Sequence, residues 1–449
     1  MRRREVVAGM GAVSLASAAK ANSSRRRTVA DGYFLSDGNP CATVDQQWLD
    51  AKAIELFARA DVQQAKERAA GAFARVTDKT VSAEVWSQFR AYVDSYAFRS
   101  IQLAVNSDAD HPRIYRVYSP AANWLGNRVP QSKWGQENPD NIYRIIPIAQ
   151  GGQYVVRGKR SANPPSDVSY TLVADTNTSI TVGLLGQADI VSQADGSFEI
   201  TLDERPADGR KNHIQITPDA RYLFIRDSLG DWRQTPNRLR VERLNAPARE
   251  PLTIDELAAR AALVMRDGVT PAYYWSRLVL NAQPGSLSQP TGTGPSGGLL
   301  TQITSHGWFA LKEGEVGVVS FDPVEASYCS IVLYDIWGRS LEYRDHLTSL
   351  NNTQMEADAD GRFSFVISPR DPGVHNWLDT TGLHEFTMGV RWQGLSPNVK
   401  MPPQVSTHVV DAGQLGTVLS PAIRKLSAEQ RATQIRERQQ AYDRRFVES

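Results

Sequence analysis

The stretch Ala359–Trp392, ADGRFSFVISPRDPGVHNWLDTTGLHEFTMGVRW, decides the reading of this chain, because Ala194–Arg226 repeats its skeleton. Both open Ala-Asp-Gly-x-Phe, so that Asp195, Gly196 and Phe198 answer Asp360, Gly361 and Phe363. Both run through a Pro and Gly loop to an asparagine beside a histidine, Asn212-His213 and His375-Asn376, and both end in a strand closed by arginine. Phe198 to Arg226 spans 28 positions, and so does Phe363 to Arg391. The Asp-Gly pairs carry turn chemistry, since glycine tolerates positive φ where other residues are strained. Apolar residues at every second position in Phe198-Ile200-Leu202 and Phe386-Met388-Val390-Trp392 place one strand face on a core. The expectation is one module built twice.

Outward from the repeats, further strands are expected at 142–148, 153–157, 168–173, 179–184 and 221–225 in the first half, and at 316–321, 328–334 and 362–367 in the second. Helices flank them. From Asp45, the spacing of Trp48, Ala51, Ile54, Phe57 and Ala60 predicts an inward stripe, and a second helix runs from Ser82, its cap, to Val105. Thr253 and Glu256 match a capping box, after which Leu257, Ala261 and Val264 form a buried stripe ended by Gly268. A short helix at 273–282 and a loose Gly/Ser/Pro stretch, 284–298, follow, the latter a surface loop or lid. A charged helix, Ser427–Phe446, closes the chain with a sparse stripe of Ala432, Ile435, Tyr442 and Phe446, strapped across the body.

Strands in two blocks with helices before, between and after predict an α+β protein. The expected form is two antiparallel β-sandwich or jelly-roll-like modules related by internal duplication. The divisions are an export signal (1–21), a flexible leader (22–44), a helical N-terminal piece (45–118) and the first β module (119–248). A helical connector with its loop (249–299), the second β module (300–419) and a C-terminal helix (420–449) complete it.

The chain has 449 residues, 41% apolar, with a formal net charge of +1. That is too long for a single core, too apolar for disorder, and it lacks the basic stripe a nucleic-acid partner would need. No stretch reaches the roughly 20 apolar residues of a membrane-spanning helix. Arg2, Arg3 and Arg4 precede a mildly apolar run from Val6 to Ala19 and an A-x-A site, Ala19-Lys20-Ala21. This reads as an export signal of twin-arginine type, and hence as a periplasmic or secreted protein. Cys41 and Cys329 stand alone, without C-x-x-C spacing, and read as free buried thiols, the alternative being a bridge between them, which the distance between their Cα atoms decides.

For chemistry, His375, Asp379 and His384 place imidazoles and a carboxylate within ten residues, enough for acid/base work. Asn376 and Trp377 sit among them as substrate contacts. The same run also reads as structure, with Asp371-Pro372-Gly373 as a tight turn, the asparagine satisfying loop backbone and Trp377 plugging an end of the module. In NPDNIYR, Asn141 suits hydrogen bonding to a polar ligand and Arg144 a carboxylate clamp, although both also suit a strand entry. Residues that differ between the copies are the better functional candidates. No phosphate loop, H-E-x-x-H or EF-hand spacing occurs, so no metal site or cofactor is assigned.

NPDNIYR, the ADGSF and ADGRF pair, RYLFIRDSLGDW, DPGVHNWLDTTG and RWQG together resemble bacterial proteins carrying domain of unknown function 1214, often seen beside domain of unknown function 1254. The likeness is strongest over 138–232 and 307–394. It implies a β-rich protein and hands over no catalytic residue. The functional expectation is therefore an exported enzyme-like protein, with hydrolase or lyase chemistry on a small, partly apolar substrate in a cleft between the β modules. The rival is a noncatalytic envelope protein binding a glycan or a protein partner.

Overall fold

A computed structural model describes residues 32–77, 81–175, 177–293, 298–395 and 402–446. The segment expected to be an export signal (1–21) and the expected leader up to residue 31 lie outside the described residues. The rest of the expected leader is not loose. Asn39, Cys41, Ala42 and Thr43 are buried, Phe34 bridges Thr43, and the Asn39 amide donates to the Arg445 carbonyl at 2.9 Å. Contacts with the far end of the chain order it, which local composition does not reveal.

Four helices follow: α1 (Val44–Ala58), α2 (Ala60–Val76), α3 (Ala83–Ser87) and α4 (Phe89–Val105). Thr43 and Ser82 cap α1 and α3 by accepting from the backbone N–H groups of Gln46 and Val85. The inward face of α1 is turned from the expected one: Leu49, Ala53 and Leu56 are buried with Gln46 and Asp50, whereas Trp48 is 41% exposed. Asp50 goes inward because Gln46 and the Tyr115 hydroxyl donate to it. Periodicity counts only apolar residues and so places the stripe one position off.

Between the halves stands one helix, α5 (Ile254–Leu280), with the Thr253–Glu256 capping box in place and Pro271 inside it. Two helices broken at Gly268 were expected. Gly268 instead marks a close crossing, where a Cβ would lie 2.4 Å from the Tyr96 hydroxyl and 2.6 Å from Asn177 Oδ1. The stretch after it is also less loose than its composition suggests: Ser286–Leu287 and Thr291–Gly292 add to a sheet edge, while residues 294–297 lie outside the described part. Together with α1, α2 and α4, α5 forms an apolar layer that continues onto Tyr143, Ile145, Tyr222 and Phe224.

The first half supplies β1 (Asn141–Pro147), β2 (Tyr154–Lys159), β3 (Asp167–Val173), β4 (Ser197–Asp203), β5 (His213–Gln215), β6 (Tyr222–Ser228) and β7 (Arg238–Arg243). The second supplies β8 (Gln302–Ala310), β9 (Glu315–Phe321), β10 (Ala326–Tyr334), β11 (Phe363–Ser368), β12 (Trp377–Asp379), β13 (Glu385–Leu395) and β14 (Val405–Asp411). In the first half, β1-β6-β3 are neighbours in one sheet and β7-β2-β4-β5 form another. In the second, β8-β13-β10 and β14-β9-β11-β12 follow the same connections. Each half has one parallel pair, β4 with β5 and β11 with β12, and the other pairings of these strands are antiparallel.

Local detail repeats too. Gly196 and Gly361 both adopt positive φ, and Asp195 and Asp360 accept from the backbone N–H two residues on. Asn212 exchanges two hydrogen bonds with the backbone of Val191, as Asn376 does with that of Glu356. In each half one apolar cluster draws on both sheets. Leu223, Ile225, Val156 and Phe198 share one cluster, and Val390, Trp392, Phe321 and Phe365 share the other. Cys41 and Cys329 are free and buried in different clusters.

The halves meet on Asp140, whose side chain is fully buried. It accepts from Trp232 Nε1, from the Tyr328 hydroxyl at 2.7 Å and from Asn351 Nδ2 at 3.1 Å. The C-terminal helix α6 (Ala428–Asp443) lies over this point. It turns inward Arg431, Arg438 and Tyr442, while Ala432 of the expected stripe is exposed. Arg438 and Arg445 stack on Trp232 at 4.2 and 4.3 Å from the ring centre. Replacing Asp140 by alanine strands these donors and removes the charge that faces two buried guanidinium groups, so the variant should lose about 3–5 kcal/mol of unfolding free energy, read from the urea midpoint at unchanged slope.

Candidate functional site

Strand alternation divides the residues of β6 and β13 between two environments. Leu223 and Ile225 enter one buried apolar cluster, and Phe386, Met388, Val390 and Trp392 enter another. Phe224 and Arg226 on β6 and Arg391 on β13 take the opposite faces, and those faces wall a common cavity of about 380 Å³. Tyr143 of β1 lies across from Arg226, and Thr304 of β8 across from Arg391. The remaining wall comes from residues 134–138, the turn at 177–179, Trp337 and Gly338, and Ala272, Ser276 and Val279 of α5. The arginines that close the two repeats in sequence thus meet in one space.

The wall is largely apolar but carries buried polar atoms that have no partner among the described residues: Tyr118 Oη, Glu137 Oε2, Asn141 Oδ1, His306 Nδ1 and Arg391 Nη1. Native interiors leave few such atoms, and those left over ask for a ligand or a water. Three non-glycine residues of the wall, Tyr118, Gln136 and Ser179, hold positive φ, a strain that persists where the surroundings enforce it. Gln136 is fixed by donating its N–H to the Gly338 carbonyl at 2.8 Å, and Lys133 by donating to the carbonyls of Ser340 and Leu341. Glu137 completes this clamp by accepting from the Ser340 amide at 3.1 Å.

Burial pushes the Glu137 carboxyl up and the neighbouring Lys133 ammonium down, each partly restored by the other's charge. Burial also raises the Tyr143 phenol, against a backbone bond from Asn138 and the charges of Arg391 and Arg226. His306 is pulled down to about 3 by burial and then by Arg391, so its imidazole is neutral at physiological pH. Its ring lies over Gly389, where a Cβ would meet His306 Nδ1 at 3.0 Å and Arg391 Nη1 at 3.3 Å.

Of the residues singled out from sequence, Asn141 lines this cavity. Arg144, one position beyond Tyr143, points the other way and is held by Asp227 at 2.7 Å and by the Asn237 carbonyl, so it is no ligand clamp. Asn376 binds loop backbone, and Trp377 donates to the Ser368 carbonyl under the Arg431 guanidinium. His375 faces Asn376 and Glu356, Asp379 pairs with His346 at 2.7 Å, and His384 pairs with Glu84 at 3.1 Å. Each of these three has its own partners, and none lines the cavity. Sequence reasoning passed over Arg226, Arg391, Tyr143, Glu137 and His306. The signal is the arginine that closes the strand in both repeats, which a preference for residues that differ between the copies sets aside.

Residues 318–395 match a family described as "Protein of unknown function (DUF1214)". A crystal structure of an uncharacterised protein from Burkholderia cenocepacia is similar, with 25% identity, a TM-score of 0.66, and coverage of 81% of this chain and 100% of that one. The VPA0106 protein from Vibrio parahaemolyticus shares 12% identity over 61% of this chain and 90% of its own, at a TM-score of 0.36. No curated protein matches.

Because His306 binds its proton more weakly folded than unfolded, protonation favours the unfolded chain. Its stabilising contribution is intact above the ordinary histidine range near pH 6.5 and is lost as pH falls from there toward about 3. The slope is at most about 1.4 kcal/mol per pH unit. Thermal denaturation of His306→Asn at pH 7 and pH 5 should show a smaller loss than the parent; an equal loss would clear His306 of this role.

Proposed function

We propose that this is an exported protein, periplasmic or secreted, whose cavity between the two β halves binds a small, partly apolar molecule. The observation that carries the reading is the gathering of five buried polar atoms, unpartnered among the described residues, on a wall that mixes aromatic side chains such as Trp134, Phe224 and Trp337 with polar ones. A volume of about 380 Å³ suits a small organic ligand rather than a polymer. The address rests on Arg2–Arg4, the run Val6–Ala19 and Ala19-Lys20-Ala21. We propose further that the halves descend from one duplicated sandwich-like module. The shared strand connections and the matched Asp-Gly turns and asparagine clamps support this. On that view the second half carries the matched family and the first is its partner domain, of the kind numbered 1254.

Enzyme-like chemistry of hydrolase or lyase type is the second reading, favoured by Glu137. A buried carboxyl pushed up to about 7 by burial, with Oε2 unpartnered among the described residues at the cavity wall, is suited to exchange a proton with a bound molecule near neutral pH. The acid/base role passes to it from His375, Asp379 and His384, which have partners elsewhere.

Metabolite capture on the full chain, followed by mass spectrometry of released ligands, tests the site. Ser276→Phe, which fills the cavity from α5, should abolish retention at least tenfold, and His375→Ala should leave it unchanged. Retention that survives Ser276→Phe and falls with His375→Ala would move the site to the second-half loop.

A further inference from the structure

We infer that the ligand is an organic acid whose carboxylate is held jointly by Arg226 and Arg391, one arginine from each β half, with its apolar body against the aromatic wall. This deepens the cavity reading above and rests on it.

Several buried guanidinium groups elsewhere in the molecule are paired with a carboxylate or face one. Arg144 is paired with Asp227 at 2.7 Å and Arg431 with Asp371 at 2.8 Å, while Arg116, Arg438 and Arg445 donate to backbone carbonyls and still face a carboxylate charge, that of Asp50 for the first and of Asp140 for the other two. Arg226 and Arg391 are as deeply buried, 7% and 6% exposed, yet neither has a carboxylate partner among the described residues. Arg226 donates from Nη1 to the Thr171 hydroxyl at 3.2 Å, and Arg391 from Nη2 to the Gln136 carbonyl at 2.8 Å. These are neutral acceptors, which return little of what removing a cation from water costs. Arg391 Nη1 has no acceptor in hydrogen-bonding geometry among the described residues.

Nearby groups leave that charge uncompensated. The neutral His306 imidazole adjoins Arg391, and the Glu137 carboxyl is answered by Lys133. Each guanidinium is braced against an aromatic ring, Arg226 at 4.1 Å from the centre of Phe224 and Arg391 at 5.6 Å from that of Tyr334. Rings hold a planar cation in place without neutralising it. The charges of both arginines act on Tyr143, whose hydroxyl accepts from the Asn138 amide at 2.8 Å and keeps its own proton to donate. Two forked donors and a phenol on the wall of one cavity suit the planar, two-oxygen geometry of a carboxylate. The apolar wall, with Trp134, Phe224 and Trp337, then takes the remainder of the molecule.

The test is a panel of straight-chain and phenyl-tipped carboxylic acids of four to ten carbons, each beside its primary amide, screened by thermal shift and then calorimetry on the full chain. At least one acid should bind tenfold or more tightly than its amide. Arg226→Met and Arg391→Met should each weaken that acid at least tenfold and leave its amide unaffected. Arg391→Lys, which keeps charge and volume but not the fork, should fall between parent and Arg391→Met, and it serves if the methionine variant does not fold. Amides binding as tightly as acids would overturn the anion assignment while the cavity reading stands. A panel in which neither series shifts the melting temperature would overturn both.

Discussion

A carboxylate sealed away from water constrains this molecule more than any stretch of apolar packing does. Asp140 holds three donors, Trp232 from the first half and Tyr328 and Asn351 from the second, and its charge faces Arg438 and Arg445 at the chain's end. An ion in that position is tolerable only when every partner has arrived. The relative placement of the halves is therefore set by hydrogen-bond geometry, and the cavity wall at 134–138, immediately before Asp140 in the chain, is set with it. Apolar surfaces alone would allow the halves to slide, since they carry no directional preference.

The cavity follows from the same two-residue alternation that builds the cores. A strand buried on both faces must choose what lies on each. In β6 and β13 one face is aliphatic and aromatic, and the other ends in arginine beside Tyr143 or Thr304. Because the helical layer with α5 covers the second face and does not fill it, space remains where the two arginines meet. Gly389 contributes by absence: a side chain there would collide with His306 and Arg391.

Strand positions were legible because Phe198-Ile200-Leu202 and Phe386-Met388-Val390 alternate without interruption, and the likeness of the halves because their turns need Asp-Gly. The site was less legible for a physical reason. A strand-closing arginine looks like a solvent-exposed end unless one knows that another half covers it, and coverage is a tertiary fact. Arg144 shows how narrow the margin is: one position from Tyr143, it belongs to the opposite face and to Asp227. His375, Asp379 and His384 misled in the other direction, since a dense cluster along the chain need not be a cluster in space. Trp48 misled for a third reason, because the inward places of α1 went to Gln46 and Asp50, polar residues that find partners.

The bond from Asn39 to the carbonyl of Arg445 spans 406 positions, and Arg116 donates to that same carbonyl at 2.8 Å. A growing chain emerging from the ribosome therefore cannot finish its opening segment until nearly the last helical turn has been made. Until then the bed prepared for α6 stands open, with Trp232 and the Asp140 carboxylate uncovered by the arginines that later shield them. Closing so long a loop is slow relative to local helix and hairpin formation. The interval before it closes is when such a protein has most need of a chaperone.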